Sequence, residues 1–263
     1  MIALSEWKNK FGNNFTDNYG NTYRQAMEIK NMETNGAYQA KVSGDYGEFT
    51  ASSILKALPS EYHVMNDILL QQGIMKRPYQ PQIYGQSKWQ VVNERGRYVE
   101  LVKKSTQLDH LIVSPYGLFV IETKNHKGYV FGDIRGAVWT QVLNKGQAHY
   151  TFHNPVAQNE THLKELSNQL RLGRQFMVGM IVFTNPEAYL GNVNCNCCFT
   201  LDMLYNAIMS YNKPIWDMKQ TEKVILAIEK LDSSSYTKAK EHEMYVQDLK
   251  ERQEINRRRK RGY

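Results

Sequence analysis

Apolar positions along the chain fall into a few runs with clear periods. Between residues 47 and 58, Phe49, Ile54, Leu55 and Leu58 recur at helical spacing and Pro59 closes the segment, which predicts a helix. Residues 61–70 (EYHVMNDILL) read as a strand. Two runs rich in Leu, Ile, Val and Phe, within residues 106–125 (TQLDHLIVSPYGLFVIETKN), flank a Ser-Pro-Tyr-Gly turn and predict a buried hairpin. KGYVFG and AVWTQVL follow as further strands of a meander. Asn154 offers an N-cap oxygen and Pro155 suits a first helical position, so NPVAQNETHLKELSNQL predicts a helix. QFMVGMIVFTNP is the next buried strand, CCFTLDMLYNAIMS gives a short strand and a helix, and residues 221–259 are mostly helical.

Strands separated by helices predict an α/β domain with a mixed central sheet. The polar stretches set its limits. Residues 1–43 read as an N-terminal extension with one amphipathic helix in TYRQAMEIKNMET, residues 44–213 as the core domain, and residues 214–263 as a C-terminal helical segment with a basic tail. Inside the core, residues 71–98 are rich in Gln, Pro and Gly and predict an irregular excursion.

Composition adds bounds. At 263 residues and 41% hydrophobic content the chain can build a sizeable core. The run MVGMIVF is far shorter than the ~20 apolar residues that span a bilayer, and the first residues carry no secretory pattern, so the cytoplasm is the expected compartment. Cys195, Cys197 and Cys198 stand together without a second pair at zinc-finger spacing, and ordinary thiols are expected. Of 33 Lys and Arg, five lie in residues 257–261 (RRRKR); without them 28 bases face 26 acids. The tail is therefore either a phosphate-neutralising patch or a solvated end. No lipidation motif or adjacent apolar helix face favours a membrane surface.

The hairpin carries the chemistry. Strand alternation puts Leu118, Val120, Glu122 and Lys124 on one face and Gln107, Asp109, Leu111 and Val113 on one face of the preceding strand. Antiparallel pairing across the turn then brings Asp109 toward Glu122. Buried carboxylates need partners or a metal, and two hard oxygen donors suit Mg²⁺ or Mn²⁺. An acid two residues before a lysine occurs five times in the chain, but only Glu122 and Lys124 end a hydrophobic strand beside another acid-bearing strand. An edge-strand charge pair is the competing explanation.

The order GEF (residues 47–49), TQLDHLIV, GLFVIETKN, Trp139 and NPVAQN (residues 154–159) resembles the nuclease-related domain (NERD) family, placed in the PD-(D/E)xK restriction-endonuclease-like superfamily. Residues 71–98 are longer than the usual connection between its first core strands. The resemblance implies a restriction-endonuclease-like core flanked by helices. It implies that Asp109 and Glu122 hold a divalent metal with the Thr123 carbonyl, and that Lys124 orients or activates the attacking water. It further implies that Glu48 on the first helix and Gln158 on the helix after the hairpin complete the site. His162, four residues after Gln158, faces the same side. Alternation turns His110 away from Asp109, as a packed histidine, and Asn125 and His126 are weaker candidates for phosphate contact. The implied activity is metal-dependent hydrolysis of nucleic acid, with DNA as the expected substrate. The rival is a catalytically silent nucleic-acid-binding or assembly module of the same fold. A homo-oligomer or a partner subunit is left open.

Overall fold

The helical spacing around Ile54 and Leu55 is realised in α1 (Gly36–Leu55), which a tight turn closes before Pro59. The computed structural model describes residues 36–232 and 236–261, so the helix expected in the N-terminal extension lies outside the described residues. The chain forms two units, Met1–Tyr46 and Gly47–Tyr263, and both sheets belong to the second. After α1 come β1 (His63–Pro78), the short α2 (Pro81–Tyr84), β2 (Gln90–Glu94), the long β3 (Arg97–Ser114) and β4 (Gly117–Lys124). β5 (Gly128–Asp133), β6 (Val138–Leu143) and β7 (Ala148–His153) precede α3 (Pro155–Leu170). β8 (Met177–Phe183), β9 (Ala188–Asn194) and β10 (Cys198–Thr200) follow, then α4 (Leu201–Met209), α5 (Met218–Leu231) and α6 (Tyr236–Lys260).

The main sheet runs β1-β3-β4-β8-β10, with β2 added to the N-terminal half of β3. β3 and β4 form the expected hairpin, and β8 lies parallel to β4. Helices cover both faces, which is why β4 and β8 read as nearly continuous apolar runs. Phe119 and Ile121 pack with Ala51, Leu55, Leu204 and Ile208 of α1 and α4, while Leu118 and Val120 pack with Leu163, Leu166 and Ile228 of α3 and α5. Each such side chain contributes roughly 1.5–3 kcal/mol on burial. This mixed sheet between helices is an α/β architecture consistent with a restriction-endonuclease-like core. Among the described residues, no helix is long and apolar enough to cross a membrane.

Two expectations change and one is extended. The two meander strands pair antiparallel as expected, and they do so in a second sheet, ordered β7-β6-β5-β9. Its core is Trp139, stacked on Phe183 at 6.4 Å between centroids; Gly132 is required there, because a Cβ would lie 2.1 Å from the indole. Residues 71–98 are no irregular loop: beyond a register shift between Gln71 and Gly73, β1 and β3 stay paired out to Pro78–Val99 and β2 joins them, making a three-stranded arm. Its apolar face is covered by α6, with Trp89, Val102 and Tyr245 buried between them. Cys195 and Cys197 are joined as a disulfide where thiols were expected, and burial pushes the neighbouring Cys198 thiol up to about 12.

Candidate active site

The alternation expected along β3 breaks at Asp109. Leu111 and Val113 face α3, but so do Leu108 and Thr106, two positions of opposite parity. Opposite the break, Asp67 of β1 takes a left-handed conformation (φ 55°) and drops out of the pairing between Asn66–His110 and Ile68–Leu108. Gln107 is consequently exposed, bonded to Asp67, and does not share the face of Leu111. The irregularity is what frees the Asp109 carboxylate to reach the end of β4. Asp109 Oδ2 accepts from the Thr123 backbone N–H and from Thr123 Oγ1, both at 2.8 Å.

Glu122 continues the Leu118–Val120 face of β4 and is buried beneath α3. Its Oε1 is paired with Lys124 Nζ, and its Oε2 lies 3.2 Å from His162 Nε2. Lys124 Nζ also donates to Gln158 Oε1 at 3.2 Å. Gln158 and His162 are one turn apart on α3, whose start is fixed by Asn154: its side chain caps Val156 and Ala157 and donates to the carbonyls of Ile134 and Gly136. Asn159 fastens the same helix to β4 and β8 by donating to the Val120 and Met180 carbonyls. From the other side, Gly47 lets α1 approach the end of β8, where a Cβ would lie 2.5 Å from Thr184 Oγ1. The next residue, Glu48, is close enough to add to the negative field on Lys124.

Glu48, Asp109, Glu122, Thr123, Lys124 and Gln158 are thus brought together at one end of the β3–β4 hairpin. His162 joins them, and Thr106 behind it accepts or donates a hydrogen bond at its Nδ1, 2.7 Å away. The Gln158–His162 spacing was the only signal of this contact in the sequence; Thr106 gave none. His110 lies on the α1 side, bonded to Asn66, as strand alternation suggested, and burial lowers it to about 4. His126 packs on Phe152 at 4.2 Å, and the Asn125 side chain lies beside Gly47.

The electrostatics are unequal. Burial, and then the Glu122 charge, push Asp109 up to about 7 against the pull of Lys124 and Thr123. Burial would raise Glu122 as well, but Lys124 and His162 outweigh it and hold that carboxyl below its ordinary range. Burial opposes the Lys124 charge, yet Glu122, Asp109 and Glu48 keep its pKa raised. Three carboxylates around one lysine leave an excess of negative charge, and Glu122 Oε2 is a buried oxygen without a well-formed hydrogen bond. Hard oxygen donors with uncompensated charge and an unsatisfied carboxylate oxygen fit a divalent cation.

An uncharacterized protein of Bacillus anthracis is 28% identical over 117 residues, covering 44% of this chain. The chain spans about half the length of that relative (53%). No solved structure matches this chain. The nuclease-related domain model matches residues 43–184, a stretch that contains every acid, lysine and glutamine of the cluster. It covers just over half of the chain, and the chain belongs to the nuclease-related domain (NERD) family.

Proposed function

We propose that this protein is a divalent-metal-dependent nuclease that hydrolyses phosphodiester bonds, with DNA as substrate. The observation that carries the reading is the convergence of Asp109, Glu122 and Lys124 at the end of two rigid core strands in a nuclease-related chain. Asp109 and Glu122, with Thr123, would hold Mg²⁺ or Mn²⁺, which when bound supplies charge neutralisation at the phosphate and a more acidic water. Lys124, fixed by Glu122 and Gln158, points its ammonium into the same space and can orient a water or stabilise charge on the phosphoryl oxygens. Glu48 adds a carboxylate from α1, and Gln158 holds Lys124 from α3. His162 restrains Glu122 from behind.

The test is incubation of the purified protein with supercoiled, linear and single-stranded DNA and with RNA, in Mg²⁺, Mn²⁺ or EDTA. Cleavage of DNA that requires a divalent ion is expected. Binding without cleavage of any substrate in either metal would favour a silent nucleic-acid-binding module instead.

A further inference from the structure

The arm and α6 carry the molecule's excess of positive charge. Residues 71–104 and 236–261 together contain 16 Lys and Arg against 7 Asp and Glu, a surplus of nine where the whole chain has seven. Six of the seven acids are consumed internally. Glu94 pairs with Lys76, Glu241 with Lys103, Glu251 with Lys88 and Glu254 with Arg258. Glu100 and Asp248, both buried, share Arg77 and Arg252 at 2.6–3.0 Å. Among the described residues, ten of these 16 bases are in no ion pair, and four of the ten, Arg257, Arg259, Lys260 and Arg261, stand together and exposed at the end of α6.

The same pairs fix where that basic end lies. His242 meets Ser105 at 2.8 Å, Glu241 meets Lys103, and Asp248 and Arg252 meet Glu100, so α6 runs antiparallel to β3, away from the candidate active site. Arg252 also covers the Tyr84 ring at 4.1 Å. Near its start α6 touches the site's support: Ser105 adjoins Thr106, which bonds His162, which lies against Glu122. At ~1.5 Å per residue, α6 rises roughly 22 Å from His242 to Arg257 and roughly 28 Å to Arg261. With the width of the intervening contacts, the basic end stands about 30 Å from Glu122, close to the ~34 Å of one duplex turn.

We infer that the arm and α6 act as a ruler: residues 257–261 grip the backbone of the bound duplex about one helical turn away from the site occupied by the scissile phosphate. The inference rests on the proposed nuclease reading for what occupies the active site. The buried Arg77–Glu100–Asp248–Arg252 network makes the spacing fixed, because α6 cannot swing without breaking the two ion pairs that cross to the arm, Arg77–Asp248 and Arg252–Glu100. The ligand is a polyanion of regular phosphate spacing, recognised by charge and distance rather than by sequence.

The experiment measures binding of duplex DNA of about 8, 12, 16 and 24 base pairs, in EDTA, to the parent and to R257Q/R258Q/R259Q/K260Q/R261Q. A chain ending at Asn256 serves as a second variant. The parent should gain affinity in a step once the duplex exceeds about one turn. Both variants should lack the step, losing at least about tenfold on the longest duplex and nothing on the shortest. On the long duplex alone, the dependence of log affinity on log salt should flatten by up to about 4. Equal loss at every length, or no loss at any, would overturn the ruler. Acidic phospholipid vesicles that bind the parent, with no length step on DNA, would overturn it in favour of a membrane surface. Because binding is read without metal, the two readings fail separately. A length step without cleavage in any metal leaves the ruler and removes the nuclease; cleavage without a step does the reverse.

Discussion

Lys124 has two possible duties, and its neighbours specify how to separate them. It is held by Glu122 and Gln158, so a purely structural lysine would cost stability when removed and leave the folded fraction unchanged in rate. In the proposed role, Lys124→Ala lowers the cleavage rate by ~100-fold or more at saturating metal and DNA, the scale of losing one electrostatic stabiliser. DNA and metal binding should stay near the parent's; an unchanged rate would make the lysine structural. His162 is different, since it touches Glu122 and Thr106 and is buried behind them. It is a positioning residue, and His162→Ala should weaken Mn²⁺ binding by about tenfold or more, as loss of a ligand's support does. The rate at saturating Mn²⁺ should largely recover. Calorimetric titration with Mn²⁺ checks this, and an unaltered affinity would confine His162 to packing.

At the scale of elements, the site depends on three close fits: the break in β3, the anchoring of α3, and the approach of α1 at Gly47. The last is the easiest to disturb. Gly47→Ala drives a methyl to within 2.5 Å of Thr184 Oγ1 and near Asn125, so it should destabilise the fold by about 1–3 kcal/mol, read by chemical denaturation. It should also shift Glu48 and lower activity beyond the loss in stability; a neutral outcome would show that α1 docks more loosely. Much of this level was legible in the sequence, because β4, β8 and α3 carry unbroken periods and Asn154-Pro155 is a start signal with a mechanism. The carboxylates and lysine were legible as charges on a strand that should be apolar. What was not legible depended on distant partners. The face change at Asp109 is set by Asp67 on another strand, and the arm's apolar side is read only once α6, more than a hundred residues later, lies over Trp89 and Val102.

Across the whole molecule, the core that holds the candidate site and the charged arm are joined through Ser105, Thr106 and His162, so the helix that carries the proposed grip and the support of the site are fastened to one strand. The arm's own integrity rests on four buried or half-buried charges. Glu100→Ala leaves Arg77 and Arg252 with only Asp248, and it should destabilise the protein by about 3 kcal/mol and expose α6 to protease. Unchanged proteolysis would show that Trp89, Val102 and Tyr245 alone hold the helix. The central claim, that Asp109 and Glu122 hold a metal for phosphodiester hydrolysis, is tested most directly by the cleavage rate of duplex DNA in Mg²⁺ for three proteins. These are the parent, Asp109→Asn and Glu122→Gln, each shown by circular dichroism to be folded. The parent should cut only when a divalent ion is present, and both variants should be silent at every metal concentration. Cutting by either variant at the parent's rate, or by the parent in EDTA, would contradict it.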